Sequence, residues 1–212
     1  MKKYVMLKNA GDQFIHPKTG KPVKLFRIKA EKDFTTHGRT VREGEIGGYI
    51  QSETNLAQTD HSWVFNTAQV FDNAILIDSI VTDSAKVYGE ACIVDSKILQ
   101  NAQVKENSHV ESSVIRGRAT VDGSAEVKAS EVSNASIICH HSKVNKCTVS
   151  DGVRISGNSV ATDSKLSDTS EIRGSTVVEN CHVSGRTVLN SGKYLNQNIH
   201  TDLELNVISG NA

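Results

Sequence analysis

From Val64 onward one aliphatic position recurs along the chain, with mostly polar residues on either side. The series runs Val64, Val70, Leu76, Val81, Val87, Ile93, Ile98, Val104, Val110, Ile115, Val121, Val127 and Val132. It continues through Ile138, Val144, Val149, Ile155, Ala161, Leu166, Ile172, Val178, Val183 and Leu189. The steps are 6, 6 and 5 residues, repeated without a break, so the true period is 17. Self-similarity at a fixed period marks a solenoid. Two residues before most of these aliphatics stands a small side chain, as at Ser62, Ala68, Ala74, Ser79, Ala85 and Ala91. Positions i and i−2 share one face of a strand. Each step therefore predicts a short strand pointing one large and one small side chain inward. Two positions after the aliphatic the chain often carries Asp or Gly, as at Asp72, Gly89, Gly117, Gly123, Asp151, Gly157 and Gly174. Those residues tolerate the positive φ of a sharp corner. Three strands and three corners per cycle predict a triangular prism with one side a residue shorter than the others. A square pentapeptide prism needs a step of five throughout and is excluded.

A large aliphatic spaced in this way from small residues resembles the hexapeptide repeat of left-handed parallel β-helices, over residues 46–190. The resemblance implies an all-β, single-stranded left-handed parallel β-helix; the handedness comes from the resemblance and not from the period. Projected backwards, the register recovers Ile50 and Leu56, and the step from Leu56 to Val64 is eight where five is expected. A three-residue insertion therefore falls near Gln58–His61. Upstream, Lys24–Ala30 and Val41–Ile46 read as short strands separated by a polar loop around Thr35–Arg39. Residues 1–45 then form a small β cap over the open end of the core, as solenoids require. Residues 191–212 lose the register, and Leu195, Ile199, Leu203, Leu205 and Val207 are expected to form an end cap or a docking strand.

The junction Gly44, Glu45, Ile46, Gly47, Gly48, Tyr49, followed by Asn55, Leu56 and Trp63, is similar to that of the YdcK-like family of bacterial and phage-borne proteins. Taken with the repeats, the likeness covers most of the chain from Leu25 onward. Members of that family are described mainly as hexapeptide-type transferases, a label taken from their fold. The resemblance assigns no catalytic residue to this chain, and fold analogy is a weak warrant for function.

Composition narrows the classes. Of the 212 residues, 37% are hydrophobic and 5% aromatic, which suits a thin core. Lys+Arg and Asp+Glu are 24 each, so the net charge is zero and no basic field for nucleic acid is expected. No apolar run reaches the ~18–20 residues needed to span a bilayer, and the first residues lack the apolar stretch of a secretory signal. The four cysteines form no tight framework, which points to reduced thiols in a cytoplasm.

Outward positions 17 apart stack as neighbours. One such column brings together Cys92, His109 and Glu126, which could support thiolate chemistry with His109 as base and Glu126 orienting it. The plainer reading of the same column is a solvated ladder with an incidental thiol. Cys139, His140 and His141 lie close to Cys147, but the register aims them in different directions, so no metal site is expected. Cys147 and Cys181 read as core fillers two coils apart. The first coils place large apolar side chains outward: Trp63, Phe65, Ile80 and Leu99 on one face, Phe71 and Tyr88 on another, Ile75, Ile77 and Val94 on the third. Either the cap covers them or they form a partner surface, and fifty residues do not easily cover all three faces. A homo-oligomer, dimer or trimer, or a host protein partner is therefore expected, with no cofactor evident.

Two functions compete, and a third, inhibition of a host protein by a phage-borne chain, shares the surface argument of the first. One is a non-catalytic solenoid acting as a binding or assembly module. The other is an acyl- or other group-transferase with a site at a subunit interface, for which His61, in the only insertion, and His109 are the candidate bases. The absence of a long substrate-gripping loop in the repeats weighs toward the first.

Overall fold

The structure is a computed structural model that describes residues 2–202 and 204–206. It is a parallel β-solenoid whose strands stack in three ladders. Trp63–Val64 opens a first face of nine strands that ends at Asn198–Thr201. Gln69–Val70 opens the solenoid part of a second face that ends at Glu204–Asn206. Ile75–Ile77 opens a third face of eight strands that ends at Lys193–Leu195. Register follows the period: Val81 pairs with Val64 on one side and Ile98 on the other, and Ile93 pairs with Leu76 and Val110. Every aliphatic of the series from Val64 to Leu189 is buried. Each such Val, Ile or Leu is worth about 1.5–3 kcal/mol of transfer free energy. Backbone groups are satisfied from coil to coil, as in Trp63 N–H to Ser79 O and Ile80 N–H to Ser96 O, both 3.0 Å. The rod is thus a stack of hydrogen-bonded coils around a column of aliphatics.

The short side has its own chemistry. At that corner a residue with φ near +45° to +50°, such as Asp78, Asp95, Ser112 or Ala129, precedes a buried hydroxyl. The Ser96 hydroxyl donates to Val94 O at 2.6 Å and accepts the Ser113 N–H from the next coil at 3.0 Å. Ser113 repeats this with Glu111 O (2.7 Å) and Ser130 N–H (3.0 Å). Ser130 does so with Lys128 O (2.6 Å) and Cys147 N–H (2.9 Å). The tight turn removes one residue and turns a backbone N–H away from the ladder. A hydroxyl from the coil before it supplies the missing acceptor, as a buried donor requires.

The C-terminal expectation is corrected. The register does not lapse after Leu189; it shortens. Val178 pairs with Tyr194 and Val183 with Ile199, a spacing of 16 in place of 17. One residue is lost at the corner near Gly192, whose φ is 93°. Tyr194 and Ile199 occupy the core, Leu195 points outward, and Leu205 lies on the last strand, paired with Leu189. The rod therefore runs beyond residue 190 to Asn206. Leu203 and Val207 lie outside the described residues.

The cap is an antiparallel extension of the second face. We label its strands β1 (Tyr4–Met6), β2 (Asp12–Ile15), β3 (Pro22–Ala30), β4 (Phe34–Thr36), β5 (Arg39–Val41) and β6 (Ile46–Ile50). β3 pairs antiparallel with β1, β2 and β6, and β6 then pairs in parallel with Gln69–Val70. The segment expected as a polar loop around Thr35–Arg39 is instead the tip of the β4–β5 hairpin, turning through His37 (φ 44°) and Gly38 (φ 80°). Gly47 and Gly48 serve close approach and not an unusual φ. A Cβ on Gly47 would lie 2.6 Å from Ile28 and 2.8 Å from the Trp63 ring; one on Gly48 would lie 2.7 Å from Ala68 O.

The insertion after Leu56 anchors β1. Gln58 accepts the Lys3 and Tyr4 N–H groups at 2.9 and 3.2 Å and donates to Tyr4 O at 3.1 Å. Lys3, whose side chain is 2% exposed, donates to Asp60 Oδ1 at 2.8 Å and to the carbonyls of Asp60 and Ser62. Burial pulls the Lys3 ammonium below its ordinary value, while Asp60 opposes that shift. Burial pushes the Asp60 carboxyl up, but hydrogen bonds from Lys3 and Ser62 outweigh it and hold the group below the usual carboxylate range.

Candidate functional site

The cap folds over two faces and leaves the third bare. On the first face the Trp63 ring packs edge-on against Phe34 at 5.3 Å and Tyr4 at 6.2 Å, and Arg39 lies 3.9 Å over Phe65. On the second, Phe71 and Tyr88 stack in parallel at 4.9 Å, and His16 caps both at 5.5 and 5.6 Å. His16 Nε2 meets Asp72 at 3.0 Å, and Lys18 reaches Glu106 at 2.8 Å, so the β2–β3 turn is latched to the rod. The sequence places Trp63, Phe65, Phe71 and Tyr88 outward. They do point outward, but the structure buries all four beneath the cap, so they do not form a binding surface. Ile80 and Leu99 are half-buried, with Ile80 packed against the core.

No cap strand pairs with the third face. Ile75 and Ile77 remain 45% and 41% exposed, and Cys92 and Val94 on the next strand are half-exposed. Below them the outward side chains turn polar. His109 lies 3.6 Å from Glu111, Glu111 3.1 Å from Lys128, and Glu126 2.9 Å from Lys143. Lys128 and, less strongly, His109 hold the Glu111 carboxyl below its ordinary range; Lys143 does the same for Glu126.

Cys92, His109 and Glu126 stand in register on adjacent strands, as the spacing predicts. Their contacts run elsewhere: His109 turns to Glu111 and Glu126 to Lys143. Burial alone pushes the Cys92 thiol up, away from the thiolate form that nucleophilic chemistry uses. Cys139 is buried, with its sulfur 3.4 Å from His140 Nδ1, and burial raises its thiol too. Cys147 and Cys181 sit in the hydroxyl column of the short side, their sulfurs 3.2 Å from the carbonyls of Asn145 and Glu179. Among the described residues no three or more His, Cys, Asp or Glu side chains are placed to hold a metal ion. No described helix is long and apolar enough to cross a membrane.

His61 lies where the cap meets the rod. Its Nδ1 is 3.1 Å from Thr35 O, and its N–H donates to Asp78 Oδ1 at 3.0 Å. His37 reaches Asp78 O at 2.6 Å. With Asp95 these residues line an open cleft of about 350 Å³. The contacts that sequence reasoning missed are Lys3, Gln58, Asp60, His16 and Lys18, which all hold the cap. No periodicity marks them, because their partners are set by the folded chain. Neither a scan of protein-family models nor a search of curated proteins finds a match to this chain.

Proposed function

We propose that this protein is a solenoid assembly module that binds protein through its third face, and not a group-transferase. The observation that supports this is the contrast in cover. The chain seals the aromatics of two faces with its own cap and leaves Ile75 and Ile77 bare at the same level of the rod. Contiguous exposed apolar side chains bordered by charged ones are what a protein interface presents. Covering the isoleucines and Val94 would remove that apolar area from water. The resemblance to YdcK-like proteins agrees with a shared architecture and adds no chemistry to the face.

The rival reading is a hexapeptide-type transferase, and His61 is the observation in its favour. An Nδ1–H held by a backbone carbonyl leaves Nε2 with a free lone pair, the form a general base takes. Native mass spectrometry of protein purified gently from its host separates the two. An assembly lost on Ile77→Lys and kept on His61→Ala supports the module. A co-purified small molecule lost on His61→Ala, with no dependence on Ile77, overturns it.

A further inference from the structure

We infer that the third face is the contact by which two copies of this chain pair side by side and parallel, about a two-fold axis running along the rod. The inference rests on the surface reading above and names the partner. Each strand of the third face carries two outward side chains flanking one buried residue, as Ile75 and Ile77 flank Leu76. A two-fold axis between the faces, parallel to the rod, maps each strand onto the same level of the second copy and exchanges its two outward positions. Ile75 then meets Ile77 of the second copy, and Cys92 meets Val94. His109 meets Glu111, Glu126 meets Lys128, Lys143 meets Asn145, and Val160 meets Thr162. The apolar levels of Ile75 and Cys92 meet themselves and no level sets like charges together, while at the far end Val177 meets Glu179 and Lys193 meets Leu195. The ion pairs already made along one chain, Glu111 with Lys128 and Glu126 with Lys143, continue across the contact.

The other arrangements fit less well. Antiparallel rods would set Ile75 against Lys193 and Val94 against Glu179. A parallel ring of three must lay the third face on a first or second face, where the cap hairpins stand at the level of Ile75. Eight strands spaced ~4.8 Å apart, on a side about 15 Å wide, give roughly 600 Å² per copy. About 1,200 Å² in total lies at the low end for a specific dimer.

Sedimentation equilibrium of the intact protein tests this, with two variants. The wild type should be a dimer at micromolar concentration. Ile77→Lys, at a side chain that is 41% exposed, should raise the dimer dissociation constant by about 30-fold or more without changing the circular dichroism. Val94→Cys should form a covalent dimer with Cys92 of the second copy on mild oxidation. Positions i and i+2 on one strand are too far apart to close that bond within a chain. Asn145→Cys, which lies opposite no thiol, should not cross-link. A wild type that stays monomeric, a dimer indifferent to Ile77→Lys, or equal cross-linking of both cysteine variants overturns the pairing. A monomer that still forms an Ile77-dependent complex with another protein overturns the pairing and leaves the surface reading standing. A monomer with no Ile77-dependent assembly of any kind overturns both.

Discussion

Between Lys97 and Ile172 the strand partners of a residue are those 17 before and after it, whereas the side-chain contacts that tie the cap to the first coil reach across half a hundred positions. Ser113 accepts from Ser130, 17 residues on; Lys3 meets Asp60 across 57 residues, and Tyr4 reaches Leu56 across 52. The side chains differ accordingly. The rod is built from Val, Ile, Ala and Ser, each filling a small repeated slot. The cap uses Trp63, Phe34, Tyr4 and a buried ammonium, large groups that each touch several segments at once. The rod spreads its stability over many similar contacts, and the cap concentrates it in a few. A single substitution should therefore hurt the cap far more than the rod.

The largest effect is expected at the ring where cap and rod meet. Trp63→Ala should destabilise the cap by about 3–5 kcal/mol, measured by urea denaturation. Limited proteolysis should then cut in residues 31–45 while far-ultraviolet circular dichroism of the rod persists. Simultaneous loss of both signals would show that cap and rod unfold as one unit and would break the comparison.

Next comes the buried ion pair. Truncating Lys3 to Ala leaves Asp60 uncompensated and should cost about 3–5 kcal/mol. The same carboxylate sets an acid response. Its pKa in the folded chain lies below the ordinary 3.8, so it stabilises the cap above that value, and the contribution is lost as pH falls through the depressed folded value. Trp63 is the only tryptophan, so its emission reports this opening directly. A red shift that begins below pH ~4, before the rod signal falls, is expected. A shift that begins near neutral pH would show that the Asp60 carboxylate is not what holds the cap.

These contrasts explain what the sequence made legible. Period and register could be read because backbone pairing forces every inward position to repeat, from Val64 to Leu189. The outward aromatics were placed on the correct faces, but a repeat carries no information about which segment folds over it. A signal did exist: Trp63, Phe65, Phe71 and Tyr88 all fall within the first coils beside the cap, and none recurs lower down the first two faces before residue 190. The final coil escaped because the loss of one residue at its corner shifts every later position. The short-side column Ser62, Ser79, Ser96, Ser113, Ser130, Cys147, Ser164, Cys181 reads simply as small until its lack of alanine is noticed. Alanine is frequent in the other two columns, where no hydroxyl is needed.

That column supplies the smallest predicted effect and the sharpest test of how the rod is held. Ser113→Ala preserves size but leaves the Ser130 N–H and the Glu111 carbonyl without their hydroxyl partner, which should cost about 1–3 kcal/mol. Ser113→Cys keeps a group that can donate and accept. Cys147 already fills the equivalent place, donating to Asn145 O and accepting from the Ser164 backbone. Its cost should be below about 1 kcal/mol, in the range of weak but satisfied hydrogen bonds. Urea midpoints at constant slope measure both. Alanine and cysteine variants of equal stability would mean that the column is chosen for volume alone. A clear gap between them would mean that the rod, like the cap, depends on side-chain chemistry at every coil, divided into portions small enough to repeat.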